Sequence, residues 1–239
     1  MKTEKIDYYD GNTLLEAYCA YDDNSKEKRP IVLIAHDWSG KNEFACNKAE
    51  KLAELGYVGF ALDMYGKGKY GNTKEEKMAL MQPLMEDRSH LYQRILAGFN
   101  AAKKMTYADT ARIGAIGFCF GGLCVLDLAR GGADLKGVVS FHGLLHAPNN
   151  QSQQTIHAKI LALHGFKDPM VTMDHVMQFS NEMTQAKVDW QLDMYGNALH
   201  AFTNPKANDA AFGTVYNKEA DKRSWIAMKN FFDEIFKIN

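Results

Sequence analysis

The sequence has few cysteines, few prolines and no long apolar run, and each shortage excludes a class of protein. It holds four cysteines among 239 residues, namely Cys19, Cys46, Cys119 and Cys124, with no Cys-x-x-Cys pair. That is too sparse for a disulfide framework in a chain this long, and the spacing fits no zinc site. No His-Glu-x-x-His segment occurs either, so neither a metal nor any other cofactor is expected. The 5 prolines are scattered, no stretch is rich enough in Pro, Gly or Ser to be an interdomain linker, and nothing repeats. The longest apolar runs, such as Ile31–Ala35, fall far below the roughly 20 residues that cross a bilayer. The opening Met1-Lys2-Thr3-Glu4-Lys5 alternates charge and leads into no apolar stretch, which argues against a secretory signal. Neither sign of charge dominates: 28 basic residues against 29 acidic ones give a net charge of −1. Such a balance supplies no drive toward nucleic acid or an anionic membrane. A cytoplasmic protein acting on a small molecule is the expectation.

What is present is a core. With 46% hydrophobic and 24% charged residues, the chain can bury one cooperative interior, and a single domain over 1–239 is expected. Residues 3–9 and 14–21 alternate as an antiparallel hairpin around Asp10-Gly11-Asn12. Continuous apolar strands then alternate with helical patterns: strands at Pro30–Ala35, Val58–Met64, Arg112–Ile116, Gly137–Phe141, Lys159–His164 and Val188–Tyr195. Helices are predicted after Glu43 up to Gly56, over 74–86 and 88–104 with an interruption at Pro83, over Phe120–Arg130, and near 173–186 and 217–237. This alternation means an α/β protein with a mostly parallel sheet covered by helices on both faces. Ligands of such sheets bind beyond the carboxyl ends of the strands, so functional residues should stand just after strands.

The strongest signal meets that test. A strand ends at Ile116, and Gly117-Phe118-Cys119-Phe120-Gly121 leads into a helix. This is the nucleophile elbow G-x-S-x-G with cysteine in the serine position. The bend is strained and crowded, which calls for glycines around the nucleophile. The sulfur would stand at a helix N-terminus, where the macrodipole favours thiolate. The other reading, a buried cysteine serving as a small hydrophobe, better suits Cys19, Cys46 and Cys124, which lack such glycine brackets.

A thiol nucleophile needs a base, and the base needs an orienting acid. In α/β-hydrolases the chain order is nucleophile, acid, histidine. Asp168 follows the Lys159–His164 strand in Gly165-Phe166-Lys167-Asp168-Pro169, and His200 follows the Val188–Tyr195 strand. Both arrive in order. His164 belongs to its strand, His142 and His146 follow a strand but precede Asp168, which leaves them as pocket-lining residues rather than the base, and His90, His157 and His175 read as helix or loop surface.

Taken together these residues resemble the dienelactone hydrolase family: Gly117-Phe118-Cys119-Phe120-Gly121-Gly122, then His164-Gly165 with Asp168, then His200-Ala201-Phe202. The resemblance runs from the first buried strand to the final helix. It implies an α/β-hydrolase fold with Cys119 as nucleophile, His200 as base and Asp168 as its orienter. It also implies an oxyanion hole from the backbone N–H groups of Phe120 and Trp38, a monomer, and cleavage of a small carboxylic ester or lactone through an acyl-enzyme. Asp37 matches an acidic residue that the family sets against the resting thiol, although the family's glutamate is one methylene longer. Arg88 loosely matches an arginine for a substrate carboxylate. The family's second arginine, four residues after the histidine, is here Asn204, so a dienelactone-type carboxylate substrate is not implied.

Two further patterns carry less. Gly66-Lys67-Gly68-Lys69-Tyr70-Gly71 fits G-x-G-x-x-G, but a helical pattern follows where a dinucleotide site needs a strand ending in an acid. It reads instead as a loop beside the active site. Met78, Met81 and Met85 recur at helical spacing, as a packed helix face or the lining of a pocket. Two other functions use the same residues: a thiol redox sensor at Cys119, and a non-catalytic binding protein on a hydrolase scaffold.

Overall fold

A computed structural model describes residues 1–24, 27–148 and 154–237, which gather into two compact units, Met1–Ile116 and Gly117–Asn239. The first unit opens with the expected hairpin. Strand β1 (Lys2–Asp10) pairs antiparallel with β2 (Thr13–Tyr21), and Gly11 takes the turn at φ 55°, a conformation that costs glycine nothing. Strands β3 (Arg29–Ala35) and β4 (Val58–Ala61) run parallel, and β4 pairs antiparallel with β2. Ile31 through Ala35 are wholly buried, as a continuous apolar run requires. Helix α1 (Glu43–Glu54) starts where Asn42 accepts the Phe44 N–H at 3.0 Å, leaving fewer orphan donors in its first turn. A Cβ on Gly59 would lie 2.3 Å from the Ala49 carbonyl oxygen, so α1 and β4 pack backbone to backbone.

Three expectations for this unit need correction. Strand β4 stops at Ala61 rather than Met64. Leu62 still donates to the Ile34 carbonyl at 3.0 Å, but side chains then take over the backbone. The Asp63 N–H donates to the Tyr8 hydroxyl, and Asp63 Oδ1 accepts from Tyr65 and Gly66 at 2.9 and 3.0 Å, a local turn that competes with the strand ladder. Pro83 lies inside helix α2 (Lys74–Glu86) instead of interrupting it. The break before α3 (Arg88–Ala102) falls at Asp87, whose carboxylate accepts the His90 N–H at 2.9 Å. The methionine stripe packs only in part: Met78 is 41% exposed while Met81 and Met85 are half-buried, and the buried residue of α2 is Leu84.

Strand β5 (Ala108–Phe118) passes from the first unit into the second, and is longer at both ends than the apolar run predicts. Strand order is β1-β2-β4-β3-β5 in the first unit and β5-β6-β7-β8 in the second, where β6 is Gly137–Phe141, β7 Lys159–Gly165 and β8 Trp190–Tyr195. Strands β6, β7 and β8 are parallel. Helices α4 (Phe120–Arg130), α5 (Met173–Gln185) and α6 (Lys218–Phe236) accompany them. Alternate residues of β6 meet different helices, as a pleated strand requires. A Cβ on Gly122 of α4 would lie 2.6 Å from Ser140 Oγ, whereas one on Gly137 would lie 2.4 Å from Ile235 of α6. Phe141 stacks on Phe118 with ring centres 4.8 Å apart. Short strands β9 (Asn208–Asp209) and β10 (Thr214–Val215) pair between β8 and α6. At two residues each, they are too brief to leave a periodic signal.

Arg130, at the end of α4, ties this unit together. Its guanidinium donates to both carboxylate oxygens of Glu182 at 2.8 and 2.7 Å, to Asp127 at 3.2 Å and to the Leu145 carbonyl at 2.9 Å. The fold is thus α/β, with a mostly parallel sheet and an antiparallel N-terminal hairpin. Among the described residues, no helix is long and apolar enough to cross a membrane.

Candidate active site

Cys119 stands between β5 and α4 at φ 55°, ψ −116°, a backbone conformation that costs an L residue about 1–3 kcal/mol. Its surroundings impose it. The Cys119 N–H donates to the Phe141 carbonyl at 3.1 Å, and its own carbonyl accepts from Gly122 at 2.9 Å. The turn closes only without side chains at its corners: a Cβ on Gly117 would lie 2.0 Å from the Gly121 carbonyl oxygen. Cys119 is half-buried, whereas Cys19 and Cys124 are buried, and none of the four cysteines forms a disulfide.

Asp168 sits in the turn after β7. Its Oδ1 accepts the N–H groups of Met170 and Val171 at 2.8 and 3.2 Å, which aims Oδ2 at His200. His200 Nδ1 donates to that oxygen at 2.7 Å, so the ring carries its proton on Nδ1. The His200 backbone is fixed by β10 and the turn before it: its N–H donates to Gly213 at 3.0 Å and its carbonyl accepts from Val215 at 3.1 Å. The ring is 1% exposed, and Nε2 has no hydrogen bond of ordinary geometry. Cys119 is nevertheless near enough for its sulfur to act on the imidazole. Such contacts are often long before substrate binds. Burial alone would lower the imidazole pKa, but the charge of Cys119, then the hydrogen bond that Asp168 accepts, outweighs it and pushes His200 up to about 10.

The structure therefore brings Cys119, Asp168 and His200 together in the second unit, each just after a strand. Phe120 begins α4 and is wholly buried. The remaining predicted residues lie in the first unit. Asp37 is buried, with Oδ1 accepting the Ser39 N–H at 2.8 Å. The Trp38 carbonyl accepts from the Tyr65 hydroxyl at 3.0 Å, and Lys77 lies over its ring at 5.6 Å. Arg88 is half-buried in the first turn of α3. The glycine-rich segment is bound to the same loop, Gly71 donating to the Ser39 carbonyl at 2.9 Å, and α2 rather than a strand follows it.

Two residues near the imidazole were not foreseen as part of this arrangement. His142, set aside because it precedes Asp168, lies edge-on to His200 with ring centres 5.4 Å apart. Its Nε2 shares a hydrogen bond of 2.8 Å with the hydroxyl of Thr203. The signal was available, since His142 directly follows a strand. His164 is buried with both ring nitrogens lacking hydrogen-bond partners, and burial holds its pKa down.

A strand, a cysteine at positive φ, a following helix and an acid–histidine pair in that chain order match the pattern of an α/β-hydrolase. The profile of the Dienelactone hydrolase family matches residues 15–236, and the chain belongs to that family. Two solved structures are similar over 98% of this chain and 98% of their own. One is a dienelactone hydrolase-like promiscuous phosphotriesterase from metagenomic libraries, 34% identical with a TM-score of 0.92. The other is named m3DLH, 35% identical with a TM-score of 0.93. Protein usf of Aquifex pyrophilus is 29% identical over 210 residues, covering 86% of this chain and 88% of that protein.

Proposed function

We propose that the whole chain acts as one hydrolase domain that cleaves a small carboxylic ester or lactone through Cys119, His200 and Asp168. The observation that carries this reading is the His200 ring: Nδ1 is bonded to Asp168 at 2.7 Å, while Nε2 is held without a bond beside a half-exposed sulfur in a strained bend. Buried His164 also has nitrogens without partners, but of the two only the His200 ring combines an acid on one nitrogen with a sulfur acting on it.

The Cys119 thiolate attacks the carbonyl carbon, and the electron pair of the C=O bond moves onto oxygen. The N–H of Phe120 is suited to receive that oxyanion. Collapse breaks the C–O bond, and the His200 imidazolium gives its proton to the departing alkoxide, leaving a thioester on Cys119. In a lactone the alcohol stays tethered to the acyl group. Neutral His200 then takes a proton from water, the hydroxide attacks the thioester, and the thiolate leaves with the acid product. Asp168 holds the ring and balances its charge throughout. The backbone-donor role of Trp38, the gating role of Asp37 and the carboxylate role of Arg88 are carried from the family resemblance. Asn204 is occupied in its own loop, with Oδ1 accepting the Lys206 N–H at 2.9 Å, so the acid portion of the substrate is left open.

p-Nitrophenyl esters and simple lactones, assayed with the wild type, Cys119→Ala and His200→Ala, test the reading. Both variants should lose turnover, and one equivalent of iodoacetamide should abolish it by labelling Cys119. Persisting turnover in Cys119→Ala sinks the proposal. Absence of turnover in the wild type, with rapid peroxide oxidation of Cys119, favours the redox reading instead.

A further inference from the structure

We infer that His142 is a positioning residue for His200, acting through the hydroxyl of Thr203; this rests on the reading of His200 as the base. A single hydrogen bond from Nδ1 to Asp168 fixes a point of the imidazole ring, not its plane. The ring can still rotate about that bond and swing Nε2 away from the sulfur. Something must define the plane, and His142 is built into the place to do so.

His142 follows β6 at φ 40°, a conformation in which a bulky residue is uncommon. Its N–H donates to the Leu163 carbonyl of β7 at 2.8 Å, so its backbone is locked to the sheet. Its side chain is 2% exposed and meets the His200 segment at three points. It lies edge-on to the His200 ring at 5.4 Å and 64°, edge-on to Phe202 at 5.0 Å and 79°, and hydrogen-bonded to Thr203 Oγ1 at 2.8 Å. Thr203 is 1% exposed and stands three residues beyond His200. Ala201 between them has φ 57°, so the segment is bent and is held at both ends. Asp168 restrains it at His200, and His142 restrains it at Thr203 while its ring edge limits rotation of the imidazole.

Three variants separate positioning from simple support. Thr203→Val keeps the shape and removes the hydroxyl, Thr203→Ser keeps the hydroxyl, and His142→Asn tolerates positive φ but cannot reach residue 203. The readouts are kcat and KM on a p-nitrophenyl ester, thermal melting, and the low-field proton resonance of the His200 Nδ1–H. Thr203→Val and His142→Asn should each lower kcat about tenfold, the scale of one lost buried hydrogen bond, with KM within about twofold and the resonance broadened. Thr203→Ser should stay near wild type, and the double variant should be no worse than either single one. The inference is overturned if Thr203→Val, folded, keeps both kcat and the resonance, if Thr203→Ser falls as far as Thr203→Val, or if the two substitutions multiply. Should Thr203→Val not fold, Thr203→Ser and His142→Asn still decide. The resonance reports the geometry without turnover, so a failed esterase assay in the wild type would count against the proposed function and leave this inference to be judged on the resonance alone.

Discussion

Two buried ionic clusters in the second unit differ in how completely they are satisfied. Around Arg130 every direction of the guanidinium has a partner: Glu182 twice, Asp127, and the carbonyls of Leu145 and His146. Around His200 one nitrogen is bonded and the other is not. A buried charge is stable only when paired, so the complete cluster is what a fold selects. The incomplete one gives up a hydrogen bond in the interior, and a reaction coordinate explains why. Desolvation opposes charge in both places. In the second it is overcome by Cys119 and Asp168 together, so in the proposed mechanism one partner of the imidazole doubles as the attacking atom.

Substitutions at the two clusters should therefore fail in different ways. Cys119→Ala should cost about a thousandfold or more in kcat/KM with a melting temperature lowered far less than in Arg130→Leu, and Cys119→Ser should recover little, because a hydroxyl is far less acidic than a thiol. A melting temperature that dropped sharply in Cys119→Ala would erase the contrast. Asp168→Asn should lower kcat by about a hundredfold to ten-thousandfold, since an amide can hold the wrong imidazole tautomer; single-turnover kinetics with a p-nitrophenyl ester measure it. Arg130→Leu should cost about 3–5 kcal/mol in urea unfolding because it strands Glu182 and Asp127, while kcat of the folded fraction changes less than about tenfold. Equal losses of stability and kcat there would mean that the two clusters form one unit. The smallest effect is a pH dependence. His200 rises from 6.5 to about 10 on folding, so its contribution to stability is complete below pH 6.5 and is lost as pH rises through 10. The melting-temperature gap between the wild type and His200→Gln should narrow over that interval, and a gap that widened would refute the raised value.

Much of this was legible in the sequence for a simple reason. Buried parallel strands are uninterrupted apolar runs, and a tight elbow needs glycine at fixed offsets, so both the sheet and Cys119 announce themselves locally. Asp168 and His200 were legible through their places after strands. The missed features depend on contacts distant in sequence. Val58–Met64 reads as one strand, but only the fold brings Tyr8 to Asp63 and ends it at Ala61. Asp87 prevails over Pro83 as the helix boundary because its carboxylate caps α3. His142 and Thr203 are 61 residues apart, and neither belongs to a motif. Chain order set His142 aside as the base and so hid its contact with His200.

The crowding at the elbow bears on how such a protein can evolve. Side chains at residues 117, 122, 143 and 165 would lie within 2.7 Å of neighbouring atoms, mostly main chain, so drift at those corners is closed by sterics whatever the substrate. Adaptation to a new ester must then be carried by the loops that follow the strands, where length and side chains are free to vary. The centre can stay fixed while its specificity diverges among descendants.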